Sequence, residues 1–205
     1  MLGTALAAIL APRAARAQKK EEPIPTLPIV VSVASETGPD GAKPVQDAAW
    51  IDAQIARAER LFGGHGVHFE ARPRRALDPK YARLETRADR DALAAELAPG
   101  VINVFLVSSL RDVDDPSRMR MGVHWRARKQ LAKHYVIIAA SAMPSTLAHE
   151  LGHFFGNGHS KVVNNVMSYE RTDDELVFFD AAQGRKIKTF ARMFVRTREL
   201  LPSNS

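Results

Sequence analysis

His149-Glu150-Leu151-Gly152-His153-Phe154-Phe155-Gly156-Asn157-Gly158-His159 is the stretch on which the reading of this chain turns. His149 and His153 are four residues apart, so on a helix they project from one face. Two imidazoles at that spacing can grip one small cation. Zinc favours nitrogen ligands in tetrahedral geometry, with three protein ligands and one open position when it is catalytic. Glu150 follows the first histidine, where a carboxylate can face the open position and take a proton from water. A helix running straight on would carry a third ligand away. Gly156 lets the chain leave the helix by a backbone conformation that other residues tolerate poorly. Asn157 and Gly158 suit a non-helical connection, and that turn can bring His159 back as the third ligand. At ordinary residue usage, a chance match to all the fixed positions in one chain is on the order of one in 100,000, and the extended pattern is an established catalytic motif.

Gly152 sits inside the expected helix, where glycine costs about 0.5–1 kcal/mol against alanine. That cost makes sense if something packs closely on the helix there. Beyond His159 comes Asn165-Val166-Met167-Ser168-Tyr169. Together these two stretches resemble the metzincin clan of zinc peptidases, closely over residues 146–169 and loosely over 29–200. In that clan a methionine-containing turn forms a floor beneath a three-histidine site. Met167 matches that methionine, which the resemblance puts under the zinc without ligating it. Tyr169 is similar to the tyrosine of astacin-like and serralysin-like metzincins, which approaches the metal and stabilises the transition state.

The resemblance implies an α+β fold: a mixed, mostly parallel twisted sheet with an antiparallel edge strand, a long backing helix, a metal-binding helix and a C-terminal helix. It also implies a peptide or protein substrate lying extended along an edge strand, for which Met121–Trp125 is the candidate. Leu176–Phe179 is a candidate wall for a side-chain pocket, with Phe178 and Phe179 equally readable as core. The expected activity is that of a zinc metalloendopeptidase: zinc would bring the pKa of its water toward 7, and Glu150 would act first as general base and then as general acid. The alternative is a non-catalytic zinc-stabilised peptide- or protein-binding module. Glu150 argues against it, because a purely structural site needs no base.

Working outward, Ile29–Val33 is continuous and β-branched, as a buried strand should be. Ile51, Ile55, Ala58 and Phe62 recur on one helix face, closed by Gly63-Gly64 in a left-handed turn. Val67–Ala71 alternates as a strand does, Asp89–Leu97 reads as a short helix, and Val101–Val107 and Tyr135–Ala139 as strong strands. Arg111–Arg120 is a polar loop. The motif helix is expected to start near Pro144. The last helix opens on a capping box of Asp180 and Gln183, carries a stripe of Ile187, Phe190, Ala191 and Phe194, and is expected to stop at Pro202. His65, His68, His124 and His134 read as hydrogen-bonded core or surface histidines. Asp112, Asp114 and Asp115 lack the spacing of a calcium loop, so calcium is not expected.

The bulk properties of the 205 residues narrow the alternatives. A 45% hydrophobic, 25% charged composition is that of an ordinary globular protein. A formal charge of +6 raises the question of nucleic acid, but no basic run is interleaved with aromatics, so a solvated basic surface is the reading and no nucleic-acid partner is expected. With no cysteine, disulfides, thiolate metal sites and a cysteine nucleophile are excluded. Residues 1–17 combine a short apolar run, Leu2–Ala11, with the small-x-small triplet Ala15-Arg16-Ala17. They read as a signal peptide, although no positive charge precedes the run. The expected organisation is export to the periplasm or exterior, a Pro-rich lead-in over 18–28, one catalytic domain over 29–205 and no stable membrane insertion; the oligomeric state is open.

Overall fold

In the computed structural model, residues 22–39, 41–128 and 133–202 are described, so the expected signal peptide lies outside them. The elements in chain order are β1 (Leu27–Val33), β2 (Ser35–Gly38), β3 (Gly41–Pro44), α1 (Ala48–Gly63), β4 (Phe69–Ala71), β5 (Arg75–Ala76), β6 (Arg83–Leu84), α2 (Arg87–Ala92), β7 (Ile102–Val107), β8 (Ser109–Leu110), β9 (Gly122–Arg126), β10 (His134–Ala139), α3 (Thr146–Phe154) and α4 (Ala181–Arg196). The main sheet runs β4-β1-β7-β10-β9, with β5 also pairing β1. Every pairing in it is parallel except the last, where β9 lies antiparallel to β10 at the edge. The expected α+β architecture is the observed one.

The central strands are apolar on both faces because both faces are covered. Val104, Leu106, Val136 and Ile138 join one buried cluster with Ile51 and Phe62 of α1, Leu147 and Leu151 of α3, and Ile187 and Phe194 of α4. The alternate residues Phe105, Val107, Tyr135 and Ile137 turn to the opposite face and pack with Leu77, Tyr81, Leu84 and Leu93. Helix α3 packs against α1 and against strands β10 and β9, which fixes its height above the edge strand.

Several boundaries differ from the expectation for local reasons. Strand β1 opens at Leu27, inside the stretch read as lead-in, because Leu27 donates its N–H to the His68 carbonyl. Gly64 stays right-handed at the end of α1 (φ −58), and the left-handed residue is Gly66 (φ 71). Pro144 precedes the N-cap Ser145 and is not in the first turn of α3. Helix α4 ends six residues before Pro202: Thr197 caps it, and Arg198 turns the chain with φ 62. The capping box at Asp180 and Gln183 is present as expected, and a second one, Thr86 with Asp89, starts α2. Among the described residues no helix is long and apolar enough to cross a membrane.

Candidate metal centre and cleft

Helix α3 carries His149 and His153 on one side, and the chain breaks out of it where the sequence reading put the break. Gly156 has φ 81, which favours glycine. Glycine is required twice over, since a Cβ there would come within 2.6 Å of the Phe190 ring. The turn continues with Asn157 N–H donating to the Gly152 carbonyl at 2.9 Å, and it returns His159 to the helix face. One candidate ligand nitrogen from each of His149, His153 and His159 lies within 4.8 Å of the others. His153 Nε2 and His159 Nε2 are 3.1 Å apart.

What fits this group to a cation is the use of the other ring nitrogens. His149 Nδ1 pairs with the Val166 carbonyl at 2.7 Å, and His153 Nδ1 with the Asn157 carbonyl at 2.8 Å. A carbonyl only accepts, so in both rings Nδ1 holds the proton and Nε2 keeps its lone pair for a metal. Corners of a tetrahedron around an ion at roughly 2.0–2.1 Å are about 3.3 Å apart, close to the His153–His159 separation. Burial lowers all three imidazole pKa values, that of His149 to about 4, despite the opposing effect of the Val166 carbonyl. The rings are thereby held neutral, as ligands must be.

Met167 is fully buried and packs against α3 at Gly152. A Cβ on Gly152 would lie 2.3 Å from Met167 Sδ, so the mid-helix glycine is explained by the methionine passing under it. The turn holding Met167 is built by Asn165, which accepts the Met167 N–H at 2.9 Å and exchanges two amide hydrogen bonds with Gln183 of α4, at 2.8 and 2.9 Å. Gln183 thus caps α4 and anchors the turn at once. Tyr169, 71% exposed, leans over the histidines with its hydroxyl 2.7 Å from His159 Nε2.

Glu150 projects into the same cleft, which measures about 640 Å³ and includes the edge strand β9 in its wall. Burial pushes its carboxyl up to about 8, partly offset by the His124 backbone N–H and the Arg120 guanidinium. It fits only because residue 122 is glycine: a Cβ there would lie 2.8 Å from both Glu150 Cγ and Thr146 Cγ2. A second cavity of about 350 Å³ adjoins Glu150 and His149 on the side of Met121 and Met143.

His149, Glu150, His153 and His159 line one cleft together, with Tyr169 at its rim, while Met167 is buried against Gly152. Leu176–Phe179 lines neither cavity: Val177 and Phe179 are core, while Leu176 and Phe178 are exposed. That expectation is corrected; the side-chain cavity is walled by Met121, Met143, Thr146 and Arg171 instead. Asp112 accepts the N–H groups of Asp114 and Asp115 and pairs with Arg120, and Asp114 pairs with Arg87. His124 and His134 are hydrogen-bonded, as read from the sequence, but His124 also lines the cleft. The sequence reading missed Gly122, Asn165 and Gln183 as parts of the site. Only the isolated position of Gly122 at the head of an alternating segment could have signalled one of them.

Comparison with family models and with curated proteins finds no match. Among solved structures, the crystal structure of archaemetzincin from Methanopyrus kandleri superposes with a TM-score of 0.54, over 82% of this chain and 96% of that one, at 15% identity. The fold is metzincin-like. At that identity the likeness concerns the fold, and the metzincin-like sheet and helices carry here a His149, His153 and His159 cluster compatible with zinc.

Proposed function

We propose that the chain is a zinc-dependent metalloendopeptidase in which His149, His153 and His159 hold the metal. The observation that carries this reading is the pair of Nδ1 contacts to backbone carbonyls, which leave the facing Nε2 atoms free beside a buried carboxylate. Zinc, when bound, supplies a Lewis acid and a positive charge that acidifies water and favours the ionised form of Glu150. Glu150, walled off by Gly122 and Thr146, takes a proton from the attacking water and hands it to the leaving amine. The Tyr169 hydroxyl, exposed at the rim beside His159, donates to the oxyanion as it develops. β9, the edge strand of the sheet, offers its outer side to an extended peptide, which adds to the sheet as another strand.

The direct test measures zinc per chain and cleavage of a mixed peptide library by the wild type, Glu150→Gln and Tyr169→Phe. One zinc per chain with cleavage abolished in Glu150→Gln is the expected outcome. Zinc without cleavage of any peptide would instead make the chain a zinc-stabilised binding module.

A further inference from the structure

The two cavities that meet at Glu150 differ in charge, and the difference selects a substrate. The larger one is lined by Asp112 and Asp114 as well as by arginines. The smaller one is lined by Arg118, Arg120 and Arg171, and Glu150 is its one carboxylate among the described residues. Arg120 is paired with Asp112, and Arg171 is held by Asp174, Ser145 and the Val166 carbonyl; neither aspartate lines this cavity. Arg118 is exposed, and among the described residues its side chain has no hydrogen-bond or ion-pair partner. The rest of the wall is apolar and pliable: Met119, Met121 and Met143 are 51%, 44% and 44% exposed. Methionine side chains adapt to a methylene stem, and guanidinium forks match a carboxylate in plane and charge.

We infer that this cavity takes a carboxylate carried on an apolar stem, so that the preferred substrates place a glutamate next to the bond that is cut. The inference rests on the metallopeptidase reading of the same site. A chain-terminal carboxylate offers the same chemistry and is separated from it by experiment.

The zinc-loaded protein is given amidated peptides that differ only by Glu, Gln or Lys at positions flanking a cleaved bond, together with free-acid versions. For the wild type, kcat/KM for the Glu peptide should exceed that for its Gln twin by about tenfold, the scale of one charged hydrogen bond. The advantage should sit mainly in KM and shrink with added salt. Arg118→Gln should bring the Glu-to-Gln ratio close to one, Arg118→Glu should invert the preference toward Lys, and Arg185→Gln, an exposed arginine outside the cavity, should keep the wild-type ratio. A preference that follows Glu in amidated peptides assigns the cavity to a side chain; one seen only with free acids assigns it to a chain end. Equal cleavage of Glu, Gln and Lys peptides by the wild type, or an unchanged ratio in Arg118→Gln, overturns the inference and leaves the peptidase reading standing. If no peptide is cut, that reading falls, and binding of the same peptides to Glu150→Gln still decides the cavity: tighter binding of Glu supports it, and equal affinities refute it.

Discussion

The molecule gathers histidines twice, in two groups that end differently; of the second, only His124 lines the cleft. In the His149, His153 and His159 group, two second nitrogens are taken up by backbone carbonyls, and Nε2 lone pairs are left over. In the other, His124 Nε2 meets His134 Nδ1 at 2.8 Å, and His134 Nε2 ends on the Glu199 carboxylate. The His134 ring is stacked on Phe154, with centroids 4.2 Å apart. In this pair His124 Nε2 and both nitrogens of His134 are taken up. The two groups therefore differ in where the second nitrogens go, more than in how close the rings lie.

The contrast is broken most severely by substituting one member of each group. His153→Ala should drop the zinc content from about one per chain toward zero, because a catalytic site keeps only three protein ligands. His134→Ala should keep the zinc and lose about 1–3 kcal/mol of stability, the cost of leaving His124 and Glu199 without their partner. Metal analysis and urea unfolding of both variants check this, and zinc loss in His134→Ala would erase the distinction. A smaller effect is expected from Gly152→Ala, which forces a methyl against Met167 from behind the ligand helix. Overpacking of this kind costs about 1–3 kcal/mol, and here it should also weaken zinc binding, measured by competition with a chelator.

The mildest test uses pH on the metal-free protein. Burial lowers His149 to about 4 and, with His134 as a second cause, His124 to about 3. The unfolded chain, with imidazoles near 6.5, binds more protons below that pH, so this stability is complete above 6.5 and is lost as pH falls through 4 to 3. Glu150 runs the other way. Its raised value means the folded form keeps a proton that the unfolded chain gives up, so its contribution is complete below about 4.5 and is lost as pH rises through about 8. The thermal midpoint should thus peak at about 6.5 and fall on both sides, and Glu150→Gln should flatten the limb above the peak and steepen the limb between about 6.5 and 4.5.

Much of this was legible because the decisive residues are neighbours in sequence. The metal group and its turn occupy residues 149–167, where helical spacing and one glycine are enough to bring three rings together. The capping box of α4 and the β-branched core strands are equally local signals. The second histidine group was not legible, because it depends on register. Strand β9 sets His124 opposite Val136, and His134, two residues along on the same face, then meets it diagonally. Nothing in the spacing of 124, 134 and 199 announces this. Short exposed pairs such as β2 with β3 escaped for another reason: Ser35–Gly38 and Gly41–Pro44 carry no apolar alternation to read. The fit of Gly122 against Glu150 likewise joins residues that only the packing of α3 over β9 brings together.

The exchange of amide hydrogen bonds between Asn165 and Gln183 has a consequence for the order in which the molecule matures. The sheet strands, the motif helix and the methionine turn all leave the ribosome before the residue that anchors the turn. Until the last helix emerges and docks, a nascent chain carries the three histidines with the Asn165 turn unfastened. The anchored form of this turn is therefore reached only after the last helix has docked.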